Sequence, residues 1–495
     1  MLDHSRALRL GHRATGETES SLARRLAAHG VSVAIDAGIP GTLTTGKVLV
    51  SNLARLPGGV SLDRGALSHR EIEALQAVVA EIDPDRTLEV RRARPAELRV
   101  DVGPGTRGGL HGVPVGHGYR IGWSKLRHAQ GGPPVSGLGS VSAAAALAGE
   151  VFKVAAGVTG TRGQLPRSRS FCPVSLTAHP ENGPDLPQEW LLEGAVAGVG
   201  AIGTGIALIL SFLPIGGALL LIDRQIIAIE NLGTYSLGGI ADVDANRQKT
   251  AVAARVLSNF STRCFDGDVA ALPARIDAGL ERWPRAILAG LDSPEARRDL
   301  QQVWPDLLID GATGDTMAGL HEIIGPGQPC MECLFPPTTR SLAAEALASA
   351  TGLPVDIAAQ GSLLLRDEHL DGLAPDRQDR LRPYVGREIC GLARAFGLTD
   401  LGDEDYQPAV PFVSLTAAAL VVGRLIAREV GLRPRTNVAQ FDVLAGPQLM
   451  SRMHRRGVAG CRCEVRHSTI ATVRALRERG ARVATPSPAG SRQSR

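Results

Sequence analysis

Two cysteine pairs and one run of glycines carry the residue types and spacings that could do chemistry. Cys330 and Cys333 form CxxC in PCMECLFPP, and Cys461 and Cys463 form CxC in GCRCEV, with 127 residues between the pairs. Four thiolates on two such knuckles suit a closed tetrahedral zinc, which makes the site a structural one. His467 is a substitute ligand beside the shorter knuckle. A redox role for the CxxC is the alternative, but no thioredoxin-like helix start surrounds it. The glycines Gly198, Gly200 and Gly203 read GxGxxG, and Asp223 lies 20 residues beyond the last of them. Small residues there let a backbone approach phosphates at a helix N-terminus, and an acidic group at that distance can bind ribose hydroxyls.

The glycines sit in a stretch, residues 194–222, that runs 29 residues without a charge, which is the length of a membrane span. Seven of those residues are glycine, Pro214 interrupts the middle, and an aspartate follows. A βαβ unit accounts for all three features: a buried strand at 195–199, a helix at 206–212, a stop signal at 214–217 and a second strand at 218–222. Both faces of such strands are covered, so polar alternation is not expected. The reading is therefore a water-soluble nucleotide fold with no membrane span. A second glycine motif, GTLTTGKV at 41–48, approximates a phosphate loop but ends on Val48, without the hydroxyl that would bind magnesium. VLVSNL after it reads as strand, so the match is taken as coincidence.

At 495 residues the chain should divide into two or more domains. Fifty-four basic residues nearly balance 50 acidic ones, leaving +4, and aromatic residues make up 3%, so nucleic acid is not an expected partner. The first residues, MLDHSRALRLGHRATGE, contain no apolar core of a secretory signal, and seven scattered cysteines do not suggest a disulfide framework. A cytoplasmic location is expected. Cys172 in SFCPVSL and Cys264 in STRCF lie in strand-like runs, where burial is expected.

Downstream of Asp223 the chain reads RQIIAIENLGTYSLGGIADVDANRQKTAVAARVLSNF, and later RAILAGLDSPEARRDL. With the glycine loop, these segments resemble the ThiF-like and ubiquitin-activating adenylyltransferases, including the bacterial members found with conjugation and antiviral-defence operons. The resemblance covers 191–333, and 410–463 more loosely. It implies that Asp223, Asn231, Lys249 and Asp292 surround ATP and Mg2+: Asp223 on the ribose, Asn231 on phosphate or metal, Lys249 on phosphate and Asp292 on magnesium. Thr234 and Tyr235 stand where the family usually has arginine and glutamine, and the lysine comes two residues later than usual. Arg247 is a candidate for the missing phosphate-binding cation. The resemblance also supports a zinc site on the paired cysteines. It places Cys390, in LRPYVGREICGLARAFG, where ubiquitin-activating enzymes carry the thioester cysteine; a buried helix cysteine is the alternative. Arg387 nearby would favour its thiolate.

An internal repeat widens this reading. SVSAAAALAGEVFKVAAG at 140–157 and SLTAAALVVGRLIAREVG at 414–431 match at six of eighteen positions without a gap, and a strand-like run follows each. The expected architecture is α/β, a mostly parallel Rossmann-like adenylation domain preceded by a degenerate adenylation-like domain in a pseudo-dimer. Its parts are an inactive domain at 1–180, a linker at 181–189, the active domain at 190–335, a catalytic-cysteine insertion at 336–409, a return segment at 410–470 and a disordered tail at 478–495. Arg9, Arg13, Arg24 and Arg25 are candidates to reach ATP from the inactive half. The implied activity is adenylation of the C-terminus of a ubiquitin-like protein, then thioester transfer to Cys390, with a conjugating enzyme as the next partner. Alternatives are a sulfur-carrier adenylyltransferase without thioester, a NAD-dependent oxidoreductase and a non-catalytic scaffold.

Overall fold

The computed structural model describes residues 2–65, 67–105, 108–126, 133–163, 168–325, 328–336, 342–360, 363–387, 389, 392, 396 and 410–483. The first half runs α1 (Ser5–Thr15), α2 (Glu19–Ala28), β1 (Gly30–Ile35), α3 (Thr42–Ala54), β2 (Gly59–Asp63), α4 (His69–Ile82) and β3 (Glu89–Val90). It continues with β4 (Leu98–Val102), β5 (Leu110–Val115), β6 (Gly118–Gly122), α5 (Gly137–Ala156) and β7 (Arg169–Phe171). The second half runs β8 (Leu191–Ala197), α6 (Ala201–Ser211), β9 (Gly216–Ile222), α7 (Lys249–Ala254), β10 (Phe260–Phe265), α8 (Leu272–Asp277) and β11 (Ala286–Ala289). Then come α9 (Pro294–Gln301), β12 (Leu307–Gly314), β13 (Met317–Ile324), α10 (Pro411–Glu429), β14 (Val438–Asp442) and β15 (Ser451–Met453).

The two sheets have the same strand order. The first reads β3-β2-β1-β4-β5-β6-β7 and the second β10-β9-β8-β11-β12-β13-β14, with β15 added at its edge. In both, the first five strands are parallel and the later ones antiparallel. The uncharged run at 194–222 is β8, α6 and β9, so it folds as strand, helix and strand. Its apolar residues are needed because β8 and β9 are covered on both faces.

The repeated segments are α5 and α10, which occupy the same place in their halves. The sequence after each carries a left-handed glycine, Gly157 at φ 69° and Gly431 at φ 79°. Both helices are long and apolar enough to cross a membrane, and 89% of each apolar window is buried within the fold. They pack on one another, with the Phe152 and Phe412 rings 5.5 Å apart, while Phe171 of β7 meets Phe441 of β14 at 5.7 Å. Gly149 and Gly423 hold the same repeat position. A Cβ on Gly423 would lie 2.6 Å from the Pro173 carbonyl oxygen, and one on Gly149 would meet Phe412 and Val443. The two halves thus pack through corresponding helices and strands, as expected for a pseudo-dimer.

The halves differ on one sheet face. In the second half α8 and α9 cover it, whereas among the described residues no helix joins β3 to β4 or β4 to β5. That face of the first sheet carries charge: Arg99 contacts the buried Asp101 at 2.8 Å and Asp63 at 3.5 Å.

Three expectations are corrected here. GTLTTGKVLVSNL forms helix α3, not a loop followed by a strand, because its β-branched residues pack against β1 and α5 from one side of the sheet. Cys264 is exposed, since β10 is the edge strand and that residue faces outward, while Cys172 is buried as expected. Helix His467–Val483 extends order through 478–483, where a tail was expected. Arginines dock it alongside Ile470, which is buried against Trp304 and the cysteines: Arg477 bonds Asp277 and the Gln302 and Val303 carbonyls, and Arg474 bonds Asp306 and the Trp304 carbonyl.

Candidate nucleotide site and cysteine cluster

In a sheet of this order the strand direction of travel reverses between β8 and β11, and the crevice at their carboxyl ends is where such folds bind ligands. The glycine loop follows β8, Asp223 follows β9, and Asp292 follows β11. Gly198 adopts φ +79°, a region that favours glycine. Gly203 is required by contact: a Cβ there would lie 2.1 Å from the Gly198 carbonyl oxygen. Gly200 is the N-cap of α6 and has no side chain to cap the helix, so the first amides of α6 face the crevice without a side-chain cap.

Asp223 is held by two backbone donors, the amide of Val199 at 2.8 Å and that of Gln225 at 2.9 Å. Burial raises its carboxyl above the ordinary aspartate value, and the Lys249 charge works in the opposite direction. Asp223 follows β9 and Asp292 follows β11, the two strands that flank β8, so both stand at the same end of the sheet. Asp292 itself is exposed, at the junction between β11 and α9. Lys249, 5% exposed, opens α7. Its amide donates to the Gln225 carbonyl at 3.1 Å, its ammonium to the Gln225 side-chain oxygen, and that ammonium lies 5.2 Å from the centre of the Tyr235 ring. The fold therefore brings Gly198, Gly200, Gly203, Asp223, Lys249 and Asp292 to one crevice.

Other candidates are engaged elsewhere. The Asn231 side-chain oxygen accepts from the Ala228 amide at 2.9 Å and caps helix Ile229–Leu232. Arg247 pairs with Asp242 at 2.8 Å. Arg9 lies 3.9 Å from Glu19, Arg25 pairs with Glu17 at 2.5 Å, Arg13 pairs with Asp315, and Arg24 is exposed. Cys390 lies outside the described residues.

Two residues to which the sequence reading gave no role stand at the site: Gln225 tethers Lys249, and the Tyr235 ring packs against its ammonium. Tyr235 was visible in the sequence only as a departure from the family pattern. The first half also reaches over through Arg55, which donates to the Leu232 and Gly238 carbonyls at 2.6 and 3.1 Å. Its burial lowers that guanidinium to about 10.

The first half also has a glycine at the start of its corresponding helix: a Cβ on Gly41, before α3, would lie 2.5 Å from Val135 and 3.1 Å from Pro114.

The sulfurs of Cys330, Cys333, Cys461 and Cys463 lie within 4.8 Å of one another. Cys330 is 3.5 Å from Cys461 and 3.9 Å from Cys333, and Cys333 is 3.5 Å from Cys463. A tetrahedron with zinc–sulfur bonds of about 2.3 Å has edges of about 3.8 Å, so the set fits a zinc ion. Burial pushes the Cys330 thiol up and the Cys463 thiol up to about 12, a cost that a bound cation offsets. His467 is exposed, and the four sulfurs gather without it.

The paired sheets of one strand order, with the glycine loop after β8, define a Rossmann-like nucleotide-binding fold built as a pseudo-dimer. Residues 191–463 match the ThiF family, and the chain belongs to that family. No curated protein matches the chain. Among solved structures, E. coli MccB with succinimide shares 15% identity over 55% of this chain and 66% of that one, at a TM-score of 0.34. MccB with ATP shares 15% identity over 55% and 65%, at 0.34. MccB with AMPCPP and MccA shares 13% over 55% and 66%, at 0.33. The chain spans just under two thirds of the length of each.

Proposed function

We propose that the chain is an ATP-dependent activating enzyme for a ubiquitin-like protein. The observation that carries this reading is the placement of Asp223, Lys249 and Asp292 around the strand ends beside the glycine loop, in a member of the ThiF family. In the reaction a terminal carboxylate oxygen attacks the α-phosphorus of ATP, the α–β bridging bond breaks, and pyrophosphate leaves. Negative charge grows on the phosphates as that bond breaks, so fixed cations and amide donors lower the barrier. The α6 amides and Lys249 supply them, Asp223 accepts from the ribose hydroxyls, and Asp292 would hold magnesium, which neutralises phosphate charge when bound. Asn231 orders the crossover beside the site through its cap. The four cysteines would hold zinc as a structural ion. Cys390 would then take the acyl group as a thioester, releasing AMP, and pass it to a conjugating enzyme.

Calorimetry with Mg-ATP and with NAD, together with pyrophosphate exchange into ATP, tests the reading on wild type and Asp292→Ala. Mg-ATP binding with exchange, reduced at least a hundredfold in Asp292→Ala, is expected. Normal exchange in the variant would remove Asp292 from the mechanism, and NAD binding without ATP binding would return the crevice to a dehydrogenase.

A further inference from the structure

We propose that Tyr235 is a positioning residue that holds and aims the Lys249 ammonium at the glycine loop, in place of the polar pair that Thr234 and Tyr235 replace; the inference deepens the adenylation reading and rests on it. Several independent contacts place the phenol there. Its hydroxyl lies 3.6 Å from where a Cβ on Gly200 would stand, so it borders the first turn of α6. The Lys249 ammonium lies 5.2 Å from the ring centre, and its charge opposes the effect of burial on the phenol. The backbone leaves Tyr235 little choice of direction: its amide donates to the Asn231 carbonyl at 2.9 Å, and the next amide, of Ser236, donates to Thr204 of α6 at 3.2 Å. Tyr235 is itself only 5% exposed.

Lysine is a compact charge on a four-carbon stem and does not orient itself. Here Gln225 holds the ammonium from one side and Tyr235 from the other, so its rotamer freedom is spent on folding rather than on binding. A phenol can accept from an ammonium and still donate its own proton, unlike a carboxamide oxygen. Burial raises the phenol above the ordinary tyrosine value and keeps it protonated as a donor. The neighbouring Thr234 is fully buried and bonds the Asn231 carbonyl at 3.2 Å, so of the two replacing residues Tyr235 is the one at the crevice.

The test uses the full chain, which has four lysines, Lys47, Lys125, Lys153 and Lys249. Trace acetylation with acetic anhydride, read by mass spectrometry, gives the labelling of Lys249 relative to exposed Lys47. Removing an acceptor from the ammonium favours the neutral, reactive amine, so Tyr235→Phe should raise that ratio several-fold; an unchanged ratio overturns the proposal. In pyrophosphate exchange Tyr235→Phe should lower kcat about tenfold with KM for ATP within about twofold, the scale of one hydrogen bond to a charged group. The double variant with Lys249→Ala should be no slower than Lys249→Ala alone; losses that multiply would show that Tyr235 does not act through Lys249. Protection of wild-type Lys249 by Mg-ATP reads the adenylation site separately. Lys249 labelling indifferent to Mg-ATP, with the Tyr235→Phe effect intact, would overturn that reading and support the Tyr235–Lys249 pairing.

Discussion

Gly203 shows how closely the crevice is built. A single methyl group there would press into the Gly198 carbonyl, and the loop could relieve it only by moving away from the turn that α6 starts on. Gly203→Ala is expected to cost about 1–3 kcal/mol of stability and to weaken Mg-ATP binding more than tenfold, read by thermal unfolding and calorimetry. Unchanged binding would mean that the loop does not have to keep this shape for the nucleotide. Asp223 works differently: its two amide donors fix the carboxylate where the second strand ends, and burial makes its charge expensive unless Lys249 stands near. Residue chemistry at this site is thus coupled, and single substitutions should not add independently.

At the scale of elements, α10 is bound to its sheet by charge as well as by apolar packing. Glu322 of β13 is buried and receives Arg424 at 2.7 Å and Arg428 at 2.6 Å, and Arg424 also donates to the Thr436 carbonyl at 2.7 Å. Arg424→Ala would remove the fully buried partner. The glutamate would keep only Arg428, and the loss is expected to be about 3–5 kcal/mol, as for broken buried pairs, measured by denaturant unfolding. Arg424→Met together with Glu322→Gln should recover part of it, because the cost lies in the charge left behind. A fully stable Arg424→Ala protein would show that water reaches Glu322. The mirror position on α5 is Glu150, which pairs with Lys153 at 2.5 Å, so both central helices carry charge at the same repeat position but with opposite sign. Opposite charges at equivalent positions distinguish the two halves, although their strand order is the same.

For the whole molecule, the cysteine cluster joins segments on either side of the insertion and the return to the sheet. Its two knuckles lie at 330–333 and 461–463, and the second leads directly into helix His467–Val483. Closing a loop of this length costs conformational entropy, which a metal bond between the knuckles offsets. About one zinc per chain is expected from metal analysis. Its removal by a strong chelator should lower Tm by several degrees and expose the C-terminal helix to protease first. Cys461→Ser should reproduce both effects, whereas a metal-free protein with unchanged Tm would refute a structural role. The two halves also meet near the crevice, where Arg55 of the first half donates to the Leu232 and Gly238 carbonyls of the crossover.

What the sequence determined by itself was whatever depends on near neighbours. The βαβ unit at 194–222 followed from uncharged strands flanking a glycine turn, and the repeat of α5 in α10 followed from shared small residues, because close helix packing needs them wherever the helices sit. The knuckle spacing likewise reports local geometry. Tertiary structure decided the rest. Strand preference at 48–53 yielded to the need to cover β1, and Cys264 is exposed because β10 ends its sheet, which no local pattern encodes. Tyr235 and Gln225 meet Lys249 from the crossover after β9, and Arg55 of the other half holds that crossover. Their proximity depends on how the crossover folds over the strand ends. That arrangement is set by packing between residues far apart in the chain.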